Sequence, residues 1–192
     1  NTGLGNTNVL SFAISGTNIF AGTADGEVFL STNNGINWTK VNTGLRNAYV
    51  HSLAISGRNI FAGTLYGGVF LSTNNGGLWT AVNTGLTNLT VKSLAIKGAN
   101  IFAGTSTSAG IGTVFLSTNN GGNSIAVNTG LPTNTAYVQS LAISGTNIFA
   151  GTWGAGVFLS TNNGSSWAAV NTGLPANLDV YSLAISGTNI FA

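Results

Sequence analysis

One sentence is written again and again along this chain. Asn-Thr-Gly-Leu begins at Asn1, Asn42, Asn83, Asn128 and Asn171, and Ser-Thr-Asn-Asn-Gly begins at Ser31, Ser72, Ser117 and Ser160, so the unit is 41 to 45 residues long. A unit of that length made only of strand and turn signals cannot bury its apolar surface alone, so the copies must stack into one array.

The second copy reads most cleanly. Apolar runs at residues 50–55, 60–64, 69–73 and 79–82 have strand length and β-branched or aromatic enrichment. Turn residues separate them: Ser56-Gly57-Arg58-Asn59, Leu65-Tyr66-Gly67-Gly68 and Asn74-Asn75-Gly76. The pattern predicts a four-stranded antiparallel meander. Ile60-Phe61-Ala62 and Val69-Phe70-Leu71 put apolar groups on both faces, as a sheet sandwiched between two others requires. Small residues, Ser52, Ala54, Ala62 and Gly63, would let neighbouring sheets approach near a crowded axis. No segment shows a helical period. The expected fold is all-β, a β-propeller of four-stranded antiparallel blades with about four and a half repeats. A stacked β-solenoid is the rival, but it favours shorter coils and parallel pairing. The repeats are approximately 1–41, 42–82, 83–127, 128–170 and a partial 171–192, within one array. The last copy stops after its second strand. An unpaired apolar edge is expected there, covered either by a longer natural array or by an assembly.

Composition narrows the partners. Only 4% of the 192 residues are charged, against roughly 25% in an ordinary soluble domain. The five bases, Lys40, Arg46, Arg58, Lys92 and Lys97, are scattered, so nucleic-acid binding is not expected. There is no Cys for a disulfide or thiolate site, and no apolar run approaches the roughly 18 residues that membrane insertion needs. Asn1 begins inside a repeat, so a processed, excised or incomplete chain is expected. Low charge, absent Cys and richness in Asn, Thr and Gly point to an extracellular or cell-surface protein.

Ser31-Thr-Asn33-Asn-Gly35-Ile-Asn-Trp38 recurs at residues 72–79 and 160–167 with Trp79 and Trp167 in the last place. It resembles the Asp-box, Ser-x-Asp-x-Gly-x-x-Trp, of the BNR-repeat propellers found in sialidases, sortilin-type receptors, xyloglucanases and photosystem-assembly factors. The resemblance covers all four complete repeats: Ser31, Ser72, Ser117 and Ser160 match the Ser, and Gly35, Gly76, Gly121 and Gly164 match the Gly. Asn33, Asn74, Asn119 and Asn162 stand where that family usually has Asp. The resemblance implies a hairpin between the third and fourth strands of a blade, the place the periodicity gives it independently. Asx and Ser side chains bond turn amides, Gly accepts a positive φ and Trp pins the hairpin, so the box is expected to be structural. In the third copy Ser124 replaces Trp and residues 106–113 carry a four-residue insertion, so that blade is expected to be the least regular.

The chemistry of the sialidases would need an arginine triad, a Tyr/Glu pair and an Asp. This chain offers Arg46, Arg58 and a single Glu, Glu27. A glycosidase pair has only Asp25, Glu27 and Asp179 to draw on, with the first two in one turn. His51 has no second His or Cys, and its position holds Leu10, Lys92, Gln139 and Tyr181 in other copies, which suits a surface or axial side chain. No enzyme, metal site or cofactor is expected. The turns between strands one and two and between three and four are nearly constant, whereas the other two connections vary. In an up-and-down blade all the variable loops share one face. That face collects Arg46, Tyr49, Tyr66, Tyr137, Trp153 and Asp179, which suits stacking on sugar rings or a protein interface. The expected function is a non-catalytic structural or protein-interaction scaffold, self-association through open strand edges included. A lectin-like carbohydrate-binding module is the alternative, and a glycosidase half-site completed by another chain is the third reading.

Overall fold

The computed structural model describes residues 2–5, 7–45, 49–107, 111–132 and 137–192. The first sheet comprises β1 (Val9–Ser15), β2 (Asn18–Thr23), β3 (Val28–Ser31) and β4 (Thr39–Lys40). The second comprises β5 (Val50–Ser56), β6 (Asn59–Thr64), β7 (Gly68–Ser72) and β8 (Thr80–Ala81). The third has β9 (Val91–Lys97), β10 (Asn100–Ser106), β11 (Gly112–Ser117) and β12 (Ser124–Ala126). The fourth has β13 (Val138–Ser144), β14 (Asn147–Thr152), β15 (Gly156–Ser160) and β16 (Ala168–Ala169), and a final pair is β17 (Ala184–Ser186) and β18 (Asn189–Phe191). Every sheet is an antiparallel meander in chain order, and the first strand of each lies beside the first strand of the next. The molecule is an all-β propeller of stacked four-stranded blades.

Local chemistry sets each hairpin. Gly16 and Gly57 open two-residue turns with φ of 60° and 59°, as a type II′ hairpin requires, and the register Ser15↔Asn18 and Ser56↔Asn59 follows. In the hairpin between the third and fourth strands, the Ser72 hydroxyl donates to Asn74 Oδ1 at 3.0 Å and accepts from Gly76 N–H at 2.9 Å. Asn74 Oδ1 also accepts from Leu78 N–H at 2.9 Å. The same bonds recur around Ser31, Ser117 and Ser160. Asn34, Asn75, Asn120 and Asn163 take φ of 54–57°, a left-handed conformation Asn tolerates.

Successive blades are clipped together by the Asn-Thr-Gly-Leu segment. It forms a type II turn: Leu45 N–H donates to the Asn42 carbonyl at 3.0 Å, and Gly44 has φ of 94°. A Cβ on Gly44 would overlap the Trp79 carbonyl, so only Gly fits. Backwards, the Oδ1 atoms of Asn83, Asn128 and Asn171 accept from Val69, Val114 and Val157 N–H at 2.7–2.8 Å, bonding the blade just completed. Forwards, the carbonyls of Thr43, Thr84 and Thr129 accept from Trp79, Ser124 and Trp167 N–H at 2.8 Å, bonding the blade to come. The Trp79 and Trp167 indoles donate to the Val41 and Val127 carbonyls at 2.8 Å. Because Trp79 N–H serves this crossing segment, the fourth strand shrinks to Thr80–Ala81 instead of residues 79–82.

The core lies between blades. Phe20 and Val28 of the first blade pack with Leu53, Ile60, Phe70 and Trp79 of the second, and corresponding residues fill the next two interfaces. Near the axis the sheets nearly touch. A Cβ on Gly63 would strike Ser52 Oγ and Val91, and one on Gly104 would strike Ser93 Oγ and Val138. The Ser11 hydroxyl donates to the Val50 carbonyl at 3.1 Å there, whereas Ser52, Ser93 and Ser140 bury theirs without a partner.

The third blade differs from the other three in strand length: its fourth strand has three residues against two, and the pair Ser106↔Gly112 extends its ladder, while residues 108–110 of its insertion lie outside the described residues. Ser124 still donates N–H to the Thr84 carbonyl, so the clip survives loss of the indole.

Ser72→Ala should cost about 1–3 kcal/mol, because it leaves the buried Gly76 amide unpaired and removes one of the two donors to Asn74 Oδ1, whereas Asn74→Asp keeps both acceptor bonds and should stay within about 0.5 kcal/mol. Denaturant unfolding of the two variants checks this, and an equal loss in both would contradict the bond assignment.

Candidate binding cavity

Each blade's first strand carries one extra residue near its start. The register of β5 on β6 jumps from Val50↔Thr64 to Ser52↔Gly63, leaving His51 as a β-bulge. Leu10, Lys92 and Gln139 are bulged in the same way on β1, β9 and β13. A bulge re-aims a side chain that the regular pleat would direct into a neighbouring sheet.

Lys92 and Gln139 are thereby brought to a cavity of about 290 Å³ on the variable-loop face, lined also by Leu65, Tyr66, Thr90, Ser106, Thr107, Tyr137 and Trp153. Three blades contribute. Of the residues singled out by sequence, Tyr66, Tyr137 and Trp153 therefore meet. The Tyr137 and Trp153 rings are 5.9 Å apart and edge-to-face, and Tyr181 also packs against Trp153 at 5.7 Å. Asp179 serves the turn beneath: its Oδ1 accepts from Gly154 N–H at 2.8 Å, next to Trp153. Tyr49 is not part of the lining and stacks on His51 at 6.3 Å. Arg46 lies outside the described residues.

Tyr66 sits in an unusual conformation. Its φ is 71°, in the left-handed region, where the fourth blade has Gly154 with φ of 79°. A bulky residue there costs about 1–2 kcal/mol.

The electrostatics centre on Lys92. Its Nζ lies 3.3 Å from His51 Nε2. Burial, and then the Lys92 charge, push the His51 pKa down to about 4, and burial also lowers that of Lys92. His51 is therefore neutral at neutral pH, and accepting from the ammonium through Nε2 requires the tautomer with hydrogen on Nδ1. No carboxylate answers Lys92. Of the chain's three acids, Glu27 pairs with Lys40, Asp179 is held by Gly154, and Asp25 lies on the exposed turn of the first blade. Among the described residues no group of three His, Cys, Asp or Glu side chains could hold a metal.

No protein-family model and no curated protein sequence matches the chain. Solved structures do. The chain is similar to an ancestral GH74 enzyme, with TM-score 0.69 and 25% identity over 84% of this chain and 24% of that one. The GH74 enzyme of Niastella koreensis gives 0.60 and 20% over the same shares, and the computationally designed Ika8 protein gives 0.70 and 14% over 95% of this chain and 54% of that one. These likenesses show the propeller fold. The chain spans 24% of the length of either GH74 enzyme.

Sequence reasoning had noted the variability of the His51 position but had not placed Lys92, Gln139 or Tyr181 at a site. The available signal was that one position takes five different residues, Leu, His, Lys, Gln and Tyr, inside a strand whose other positions are constant or change in a single copy.

The lowered His51 pKa sets a pH dependence. Between pH 6.5 and about 4 the unfolded chain binds a proton at His51 that the folded chain does not. This contribution to stability is therefore present above pH 6.5 and lost as pH falls towards 4. Thermal unfolding of the wild type should weaken more steeply over that window than that of His51→Gln, and parallel pH profiles would refute the assignment.

Proposed function

We propose that this propeller is a non-catalytic, secreted or cell-surface binding module that takes a glycan in the cavity of its variable face. The observation that carries this reading is the convergence of Tyr66 from the second blade with Tyr137 and Trp153 from the fourth on one cavity, whose floor between them is supplied by the third blade. Aromatic rings supply apolar faces that sugar C–H groups can stack on, and Gln139, Thr90, Ser106 and Thr107 supply the polar groups that hydroxyls need. The strained φ of Tyr66 supports the same reading, since a Gly would fit that turn without cost. The absence of catalysis is proposed from the dispersal of the three acids over a turn, an ion pair and a loop cap. The Ser-Thr-Asn-Asn-Gly hairpins are read as uncharged Asp-boxes, on the support of their position and bond pattern.

A second reading, a scaffold that associates with copies of itself, has one specific observation in its favour. Phe12 and Ile14 on β1 are 58% and 67% exposed, whereas Leu53 and Leu94, which match Phe12, are 8% and 9% exposed beneath a neighbouring blade.

A glycan array tests the first reading. Binding should appear with the wild type and fall about tenfold in Trp153→Ala, given the roughly 0.5–1.5 kcal/mol of an aromatic contact and the apolar area lost with it. Tyr66→Gly should gain about 1 kcal/mol of stability while binding more weakly, a trade that a purely structural Tyr66 would not show. An empty array beside concentration-dependent mass in light scattering would favour the scaffold.

A further inference from the structure

Lys92 gives the cavity a sign. Its side chain rises from the bulge on β9 into a space walled by Tyr66, Tyr137 and Trp153. Its one polar contact among the described residues is the His51 ring at 3.3 Å, a neutral group that can accept a hydrogen bond but cannot balance a charge. The chain's acids are committed or remote: Glu27 is bound to Lys40, Asp179 to the Gly154 amide, and Asp25 belongs to the first blade, which contributes nothing to the lining. The side chain is half withdrawn from water, so part of the hydration that stabilises an ammonium is already lost. A half-desolvated cation with neutral neighbours favours a ligand that brings its own negative charge.

The walls decide what carries that charge. A volume of about 290 Å³ is at the small end of ligand sites and holds about one sugar ring. Trp153 stays 42% exposed although Tyr137 and Tyr181 both pack against it, so part of its ring system is open to a pyranose, and Gln139 and Thr90 line the same cavity as Lys92. We propose that the cavity selects a hexuronate residue of a glycan, stacked on Trp153 with its carboxylate on the Lys92 ammonium. This rests on the glycan-binding reading above and adds the ligand's charge. His51 acts as a positioning residue: by accepting one ammonium hydrogen through Nε2 it holds the lysine at the mouth of the bulge.

Calorimetric titration with trigalacturonic acid and with its uncharged methyl ester separates the two statements. The acid should bind the wild type about tenfold more tightly than the ester, a charged hydrogen bond's worth, and raising salt from about 50 to 500 mM should shrink that preference. Lys92→Gln should bind acid and ester alike, and Lys92→Arg should restore the preference. Trp153→Ala should weaken both ligands. Equal binding of acid and ester by the wild type, or a preference that survives Lys92→Gln, would overturn the hexuronate proposal and leave the glycan module standing. Binding of neither ligand, with neutral glycans also silent on the array, would overturn both. Circular dichroism of each variant confirms that a lost preference is not a lost fold.

Discussion

The turn that crosses from one blade to the next is the constraint on which the rest depends. Asn-Thr-Gly-Leu makes bonds in two directions, through an Asn side chain to the finished blade and through a Thr carbonyl to the hairpin of the next. Neither bond is strong by itself, about 1 kcal/mol net. Their importance is geometric: they fix the separation and rotation of two sheets whose contact is otherwise apolar and non-directional. Leu45, Leu86 and Leu131, the last residues of the turn, are buried in those interfaces, so the clip and the core form together. Glycine is needed twice in this arrangement. Gly44 permits the turn, and Gly63 and its equivalents allow the first strand of the next blade to come within contact.

Much of this was legible in the sequence because each requirement falls on a particular residue type. A left-handed turn needs Gly, a short polar cap needs Asn or Ser, and a strand between two sheets needs Ile, Phe or Val on both faces. The runs at residues 50–55 and 60–64 match β5 and β6 within a residue. The fourth strand was overdrawn because side chains do not reveal that Trp79 N–H is taken by another segment. The missing Trp and the insertion mark the third blade as the least regular, but neither shows that its clip bond is made by backbone, to which sequence identity is blind.

The site was legible only in part, for a related reason. Variation between copies singled out the loops carrying Tyr66, Tyr137 and Trp153. Their convergence depends on the angle between blades, which no single repeat encodes. Lys92 and Gln139 were harder still, because a bulge is a property of pairing register: Val-x-Ser-Leu-Ala reads as a plain strand until its partner is one residue short. Tyr66 appeared as one loop aromatic among several, since Gly67 and Gly68 follow it and either could have carried the positive φ.

The bulge also explains how a constant scaffold can carry a changing site. At a buried ladder position of β9, such as Ser93 or Leu94, a Lys would be pressed between two sheets and would destabilise both interfaces. At the extra residue the side chain leaves the ladder without altering the pairs on either side, Gly104↔Ser93 and Thr105↔Val91. Leu, His, Lys and Gln are therefore interchangeable there with respect to the fold. The hairpins of Ser, Asn and Gly lie at the opposite end of the blades and are held by uncharged bonds. Their neutrality matters at the other end too, since a scaffold with few charges places few counter-fields near Lys92. The stability of the array and the field in the cavity thus rest on separate sets of residues.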